Sequence, residues 1–563
     1  MWSRISSKGG FLIIAFIFSL LCLSSVESSA QQDTTTVTDS TSADSMITSI
    51  VKGFFTDDIK TGKNIPTEAE PYVRRAERYF FQGPDKYDKA IEQFIVALTI
   101  APNSAYINFK IGECYLLGNK NKLKSIPYLE KAFHQNKRID DRIHWLLGRS
   151  LHLNMDLDLA MEEYEKYIQA YKKKARIPDD TPPDSTILDV RRKIGECVVA
   201  KELIKNPERV FVYNLGANIN SDFPDYDPFL TSHDTILIFT SRRENTKGGG
   251  RAEIDAEFYE DVYEAHKSAQ GWRPAEAMGR RFNKRTNNAI VGISPDGQEI
   301  FMYRDQEGGN IYLTKFIDGK WTRPKNLKSI NTEFHESSAC FSHDKNSIYF
   351  VSNKPGGLGG HDIYVTTINE LGEWGEAENL GPLINTEYDE GRVFIHRDGK
   401  TLYFSSKGHK TMGGYDIFKS ELDSATSSWS VPENIGYPIN TVDDDISFSV
   451  VPNKSRGYYS AIKPNGFGSK DIYMVVFLDF LKPEPMENRE VRVISDSIQT
   501  AALFPREIIE ERLDSALALA DSAVAAEQTA EALENLEILQ SELLDFNAET
   551  ANSEEKIEHI EAK

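Results

Sequence analysis

The chain has 563 residues, too many for one ordinary core, so several domains are expected. Its 40% hydrophobic content is that of a globular protein, and a formal charge of -21 excludes the general basic footprint that nucleic-acid binding needs.

Arg4 and Lys8 precede an apolar run from Phe11 to Leu23, and Ser28-Ser29-Ala30 follows. A basic head, a short apolar core and small residues read as a secretory signal cut after Ala30. An uncleaved anchor would need about 20 apolar residues. A lipoprotein would need lipidated Cys22, but Leu21 stands where a small residue is expected. Residues 31–67, rich in Thr, Ser and Asp, read as a disordered linker. The later cysteines, Cys114, Cys197 and Cys340, are too few for a disulfide framework. One bridge, Cys114 to Cys197, is weighed against small apolar packing residues, and packing is preferred.

From 68 to 205 the period is helical. Ala90, Phe94, Ala97 and Pro102 set a spacing that Ile111-Gly112, Tyr115, Leu129 and Ala132 repeat. Leu147-Gly148, Leu151, Ala160 and Tyr164 repeat it again, and Ile194-Gly195 with Val198 start a last helix. Small residues belong where two helices cross closely. The succession resembles about three and a half tetratricopeptide repeats, which implies an α-solenoid with a concave, protein-binding surface.

From 206 to 480 one phrase recurs. Ile330-Asn331-Thr332, Glu336, Asp344, Gly359-Gly360-His361-Asp362 and Trp374 match Ile384-Asn385-Thr386, Glu390, Asp398, Gly413-Gly414-Tyr415-Asp416 and Trp429. Ile439-Asn440-Thr441, Asp445, Asn453 and Asp471 form another copy, and weaker copies begin at Asn220 and Asn283. Successive Asn residues are 63, 48, 54 and 55 positions apart. Short strands at such a period form the blades of a β-propeller. Five repeats are seen, and a sixth blade has room in the long first copy or the flanks. Arg209 to Tyr213 is placed as an extra strand that closes the ring. The repeats resemble TolB-type, WD40-like propeller repeats.

Residues 481–504 read as a linker. From 505 to 563 the pattern is an acidic helical or coiled-coil tail, with 16 acidic and 4 basic residues after Pro505. The fold class is thus multidomain α plus β: a tetratricopeptide-like solenoid, a propeller and an acidic helical tail.

No catalytic, cofactor or metal set emerges. There is no Gly-x-Ser-x-Gly elbow, and His335, His343, His361, His396 and His409 are scattered without metal spacing. Asp443-Asp444-Asp445 reads as a structural charge run. Asn331, Asn385, Asn440, Asp362, Asp416 and Asp471 recur from copy to copy, which argues for a structural role in turns. Binding residues should break the repeat. Arg242, Arg243, Lys247 and Arg251 in the first-copy insertion, Arg242–Asp261, do so and are the candidate partner-binding cluster, with the Pro355–Gly359 loop as a second candidate.

A secreted solenoid followed by such a propeller resembles cell-envelope proteins of Gram-negative bacteria, several of them in type IX secretion and gliding machinery. That resemblance implies a non-enzymatic periplasmic scaffold, associated with the outer membrane peripherally at most. Envelope proteins would bind through the solenoid groove and propeller loops. An OmpA-like domain is common there, but the acidic pattern after Asp479 does not match one, so peptidoglycan binding is not carried over. The rival readings are an enzyme with its site in the propeller funnel and a receptor for a small glycan or peptide.

Overall fold

The computed structural model describes residues 65–478 apart from 119–120, 179–180, 232–234, 248–256, 269–270, 306–308 and 464–465. The signal, most of the first linker, the second linker and the acidic tail lie outside the described residues.

Among the described residues, seven α-helices come first: α1 (Glu70–Phe80), α2 (Tyr87–Ile100), α3 (Ala105–Leu117), α4 (Ser125–Gln135), α5 (Ile143–Leu153), α6 (Leu157–Ala175) and α7 (Ser185–Lys205). Each packs on the next along the sequence. Their starts follow from local chemistry. Pro71 sits in the first turn of α1, where its missing N–H costs nothing. Ser104 and Asp184 cap α3 and α7 by accepting from the amides of Ile107 and Ile187. Two glycines set the crossings. A Cβ at Gly112 would stand 2.6 Å from Leu129 of α4, and one at Gly148 would stand 2.7 Å from the Tyr164 ring of α6. The corresponding Gly195 on α7 has nothing within 4 Å, so no described helix crosses there.

Residues 210–477 form a five-bladed propeller. The innermost strands are Asp225–Leu230, Asn288–Ile293, Glu336–Phe341, Glu390–Ile395 and Asp445–Val450. Each contacts its two neighbours, and the last contacts the first. One bond marks every seam. The first amide of each inner strand donates to the carbonyl just before the third strand of the preceding blade: Glu336 to Gly309, Glu390 to His361, Asp445 to Tyr415, Asp225 to Lys470 and Asn288 to Glu260.

The ring closes with Val210–Asn214, which pairs antiparallel with Asp471–Phe477 as the outer strand of the last blade. All four strands of that blade are thereby accounted for, and no sixth blade occurs among the described residues. The stretch before the first copy, in which room for a sixth blade is expected, supplies the closing strand.

The recurring Asn side chains grip backbone. Asn385 accepts from the Ile363 amide at 2.7 Å and donates to the Ile363 carbonyl at 2.9 Å. Asn331 does the same to Ile311, Asn440 to Ile417, Asn283 to Val262 and Asn220 to Ile472. Each Asn therefore belongs to the blade before it, and a blade begins only at the acidic residue that follows, or at Asn288 in blade two. The recurring Asp side chains close the loops ahead of the third strands. Asp362 accepts from the amides of Leu358 and Gly359, Asp416 from Met412, and Asp471 from Phe467 and Gly468. Gly413 sits in such a loop because a Cβ there would meet the Val442 carbonyl of the next blade at 2.4 Å.

Candidate functional site

The face where the inner strands begin carries the residues that differ from blade to blade. The position before each inner strand holds Pro224, Asn287, His335, Asp389 and Asp444 in turn. The position before each third strand holds Glu260, Gly309, His361, Tyr415 and Lys470. The seam bonds bring these two sets side by side.

Across blades two to four they form a row. Tyr303 meets His335 Nε2 at 3.3 Å, and His335 Nδ1 meets His361 Nε2 at 3.2 Å. His361 Nδ1 faces Asp389 at 3.5 Å, and Lys407 Nζ donates to Asp389 at 3.1 Å. With both imidazoles neutral, one direction satisfies the row. His361 Nδ1–H points at the carboxylate, His335 Nδ1–H donates to His361 Nε2, and the Tyr303 hydroxyl donates to His335 Nε2. Two of the histidines that look scattered in the sequence are thus adjacent in the fold. The signal was present: each stands directly before a recurring acidic residue, Glu336 or Asp362.

The helical array seats on the same face, over blades four and five. Met412 and Val442 are buried in one apolar cluster with Leu151, Leu157, Ala160, Tyr164 and Val190. Around it, polar groups lock the contact. Lys122 and Arg149 reach the Asp443 carboxylate at 2.5 and 3.5 Å, and Arg149 also donates to the Val442 carbonyl. His152 contacts the Met412 carbonyl at 2.9 Å, and Arg192 lies over the Tyr388 ring. Burial opposes the charge on Asp443, but Lys122 and Arg149 outweigh it and hold the carboxyl below its ordinary range. Burial, helped by Arg149, pushes His152 down to about 4. His152 is therefore neutral, with Nε2–H donating to the carbonyl. Asp443 is thus more than a member of a charge run: it is the point where the array holds the propeller.

The axial channel is crossed below this face. Arg392 of blade four pairs with Asp227 of blade one at 2.9 and 3.1 Å and donates to the Ser337 carbonyl of blade three. Ser447 of blade five also donates to Asp227. Bulges in the inner strands turn these groups inward, with φ of 54° at Asp227 and 61° at Ser447.

The candidate cluster from the first-copy insertion is placed as follows. Arg242 is buried, donating to the Phe258 carbonyl and pairing with Glu257 at 3.0 Å. Arg243 pairs with Asp225 at 3.0 Å and lies over the Tyr263 ring. Lys247 is exposed. Arg251 lies outside the described residues. Among its described members, Arg242 and Arg243 are therefore engaged within the first blade. Cys114, Cys197 and Cys340 are buried free thiols. Among the described residues, no group of three His, Cys, Asp or Glu could hold a metal, and no helix is long and apolar enough to cross a membrane.

No family profile and no curated protein matches the sequence. Solved structures are similar at low identity. One, a BT0996 RGII complex, is 10% identical with a TM-score of 0.34, and the match covers 52% of this protein and 96% of that one. An α-L-arabinofuranosidase from Lactobacillus brevis is 14% identical with a TM-score of 0.30, covering 47% and 92%. A putative 6-phosphogluconolactonase from Bacteroides uniformis ATCC 8492 is 12% identical with a TM-score of 0.25, covering 42% and 78%.

Proposed function

We propose that this protein is a non-enzymatic scaffold of the bacterial cell envelope, exported to the periplasm, that joins protein partners beside a type IX secretion or gliding type of machinery. The observation that carries the reading is the seat of the helical array on the propeller. A shared apolar cluster and the Asp443 clamp tie two interaction modules together, and the Arg392–Asp227 pair crosses the propeller axis. Residues 68–205 and 206–480 are the two modules, related to tetratricopeptide and TolB-type repeats.

The seat bears on where partners bind. Arg149, His152 and Arg192 are engaged by the propeller, so the proposed contact surface of the array moves to its first helices. There Phe81, Ile95, Val96 and Ile100 are exposed apolar groups. On the propeller, Lys247 is the exposed described member of the first-blade cluster, and an acidic partner there would bind in a salt-sensitive way. The test is crosslinking and co-purification from intact envelopes with the full chain, an Ile95/Val96/Ile100→Ser variant and a Lys247→Glu variant. Unchanged recovery of every partner by both variants sinks the assignment to these surfaces.

A second reading, an enzyme, is favoured by one observation, the Tyr303–His335–His361–Asp389 row on the array-side face. Turnover of any substrate that is lost in His335→Gln and His361→Gln, with folding intact, would replace the scaffold reading.

A further inference from the structure

The inner strands end on the face of the propeller away from the helical array. There they frame a pocket of about 40 Å³ between Phe229, Ile293, Phe341, Phe394, Ile395 and Val450, with every blade contributing. That volume holds roughly three waters, or one branched aliphatic group. The polar groups at its edge are largely committed. Ser294 donates to Asp296 at 2.5 Å, and Ser449 donates to the Pro228 carbonyl at 2.9 Å. Higher up the same strands the Arg392–Asp227 pair crosses the axis, so the pocket opens only on this face.

One charge stands at the pocket without a partner. The turns of this face pair their lysines from blade to blade: Lys345 with Asp296 at 2.7 Å and Glu299 at 3.2 Å, and Lys454 with Asp398 at 2.8 Å. Within blade two, Lys315 reaches Glu299 at 2.5 Å. Arg397 lines the pocket, and among the described residues its guanidinium has no hydrogen-bond or ion-pair partner. A guanidinium offers a planar fork of donors that matches a carboxylate and is far less suited to a neutral amide.

We infer that this mouth binds a small branched aliphatic group that carries a carboxylate. The aliphatic part fills the five-blade pocket and the carboxylate meets Arg397. A free branched-chain acid and the C-terminal apolar residue of a peptide share that chemistry. The site is independent of the array seat and of the Tyr303–His335 row, which lie on the other face.

The test uses the full chain with three probes: 4-methylpentanoate, its neutral amide, and N-acetyl-L-leucine, which imitates a peptide terminus. Binding is followed by ligand-observed NMR and calorimetric titration. The acid should bind with a dissociation constant on the order of 1 mM, the range open to so few atoms, and the amide at least tenfold more weakly. Arg397→Gln, a change at a half-exposed side chain, should weaken the acid tenfold and leave the thermal midpoint and the amide unchanged. Val450→Phe should abolish binding by filling the pocket; if that variant does not fold, Arg397→Gln decides alone. Tighter binding of N-acetyl-L-leucine than of 4-methylpentanoate assigns the site to chain termini, and the reverse order assigns it to free acids. The inference is overturned if neither acid binds at about 20 mM, if the amide binds as well as the acid, or if Arg397→Gln binds the acid unchanged.

Discussion

Arg392 and Asp227 are 165 residues apart in sequence and join blades four and one, which are not neighbours in the ring. Their contact therefore spans the axis. Asp227 is wholly buried, and with Ser447 and the Ser337 carbonyl the pair links four of the five inner strands. A charge pair in that position fixes how the blades face one another, because a shift of any one inner strand breaks a charge-assisted bond.

Removing one partner leaves the other charge buried. Arg392→Leu should destabilise the fold by about 3–5 kcal/mol, read as a drop in the denaturant midpoint. Asp227→Asn with Arg392→Gln, which keeps a hydrogen bond and removes both charges, should cost less than either single charge removal. A double variant as unstable as the sum of the single ones would show that the two residues act independently.

The array seat should loosen when its acidic anchor goes. Asp443→Ala leaves Lys122 and Arg149 facing each other without a carboxylate, at a cost of about 2–4 kcal/mol. Hydrogen exchange should rise in α5 and in the 411–412 and 442–443 loops and stay unchanged in the inner strands of blades two and three. Uniform acceleration across both modules would instead mean that they unfold as one unit.

Two buried groups tie stability to pH with opposite signs. Burial, aided by nearby Asp362, pushes Glu390 up to about 7. The folded chain then holds a proton that the unfolded chain has lost, so stability falls as pH rises from the ordinary carboxylate range through about 7. The effect is at most ~3 kcal/mol. His152 works the other way. Pushed down to about 4, it stays neutral in the fold, and stability falls as pH drops from 6.5 toward 4. Unfolding midpoints measured from about pH 4.5 to 8 should therefore diverge between variants. Glu390→Gln gains on the parent as pH rises, and His152→Gln gains on it as pH falls. Parallel curves for all three proteins would refute both assignments.

How much of this was legible differs between the modules for a physical reason. Asn385 and Asp416 recur because every blade must satisfy the same backbone groups, so counting repeats finds them. The role of the recurring Asn could not be assigned to the right blade, because its partner, such as Ile363 for Asn385, precedes it in the chain. The His335–His361 contact was missed for the opposite reason, although each histidine stands directly before a recurring acidic residue. It joins single residues that repeat nowhere, and only the register of blade three, Glu336 to Ser352 to Asp362, brings them together. Arg242 and Arg243 read as free charge in a loop, but Glu257 of the same loop and Asp225 of the inner strand pair them. Exposed and paired arginines look alike in sequence. Nor did any pattern announce the Asp443 seat, since it depends on how two modules dock.

The closing strand is the most direct test of the ring. Asn214 donates to Asp471 at 2.8 Å and accepts from the Asn220 side chain at 2.8 Å and the Gly216 amide at 2.9 Å. Asn379 of blade three makes the same three bonds, to Asp362, Asn385 and Gly381. The match extends to sequence, since Asn214-Leu215-Gly216 with Asn220 repeats Asn379-Leu380-Gly381 with Asn385. Truncating either residue removes equal bonding and leaves buried acceptors and donors unpaired, so each should cost about 1–3 kcal/mol. Their consequences should still differ. Asn379→Ala weakens an outer strand whose blade is continuous in the chain. Asn214→Ala weakens the strand that holds the first and last blades together, so the ring should open there. Amides of 210–214 and 471–477 should exchange faster in Asn214→Ala, together with those of the Asp225 and Asp445 inner strands on either side of the seam. If Asn214→Ala and Asn379→Ala each disturb only their own blade, the 210–214 strand is an ordinary edge and not the closure of the propeller.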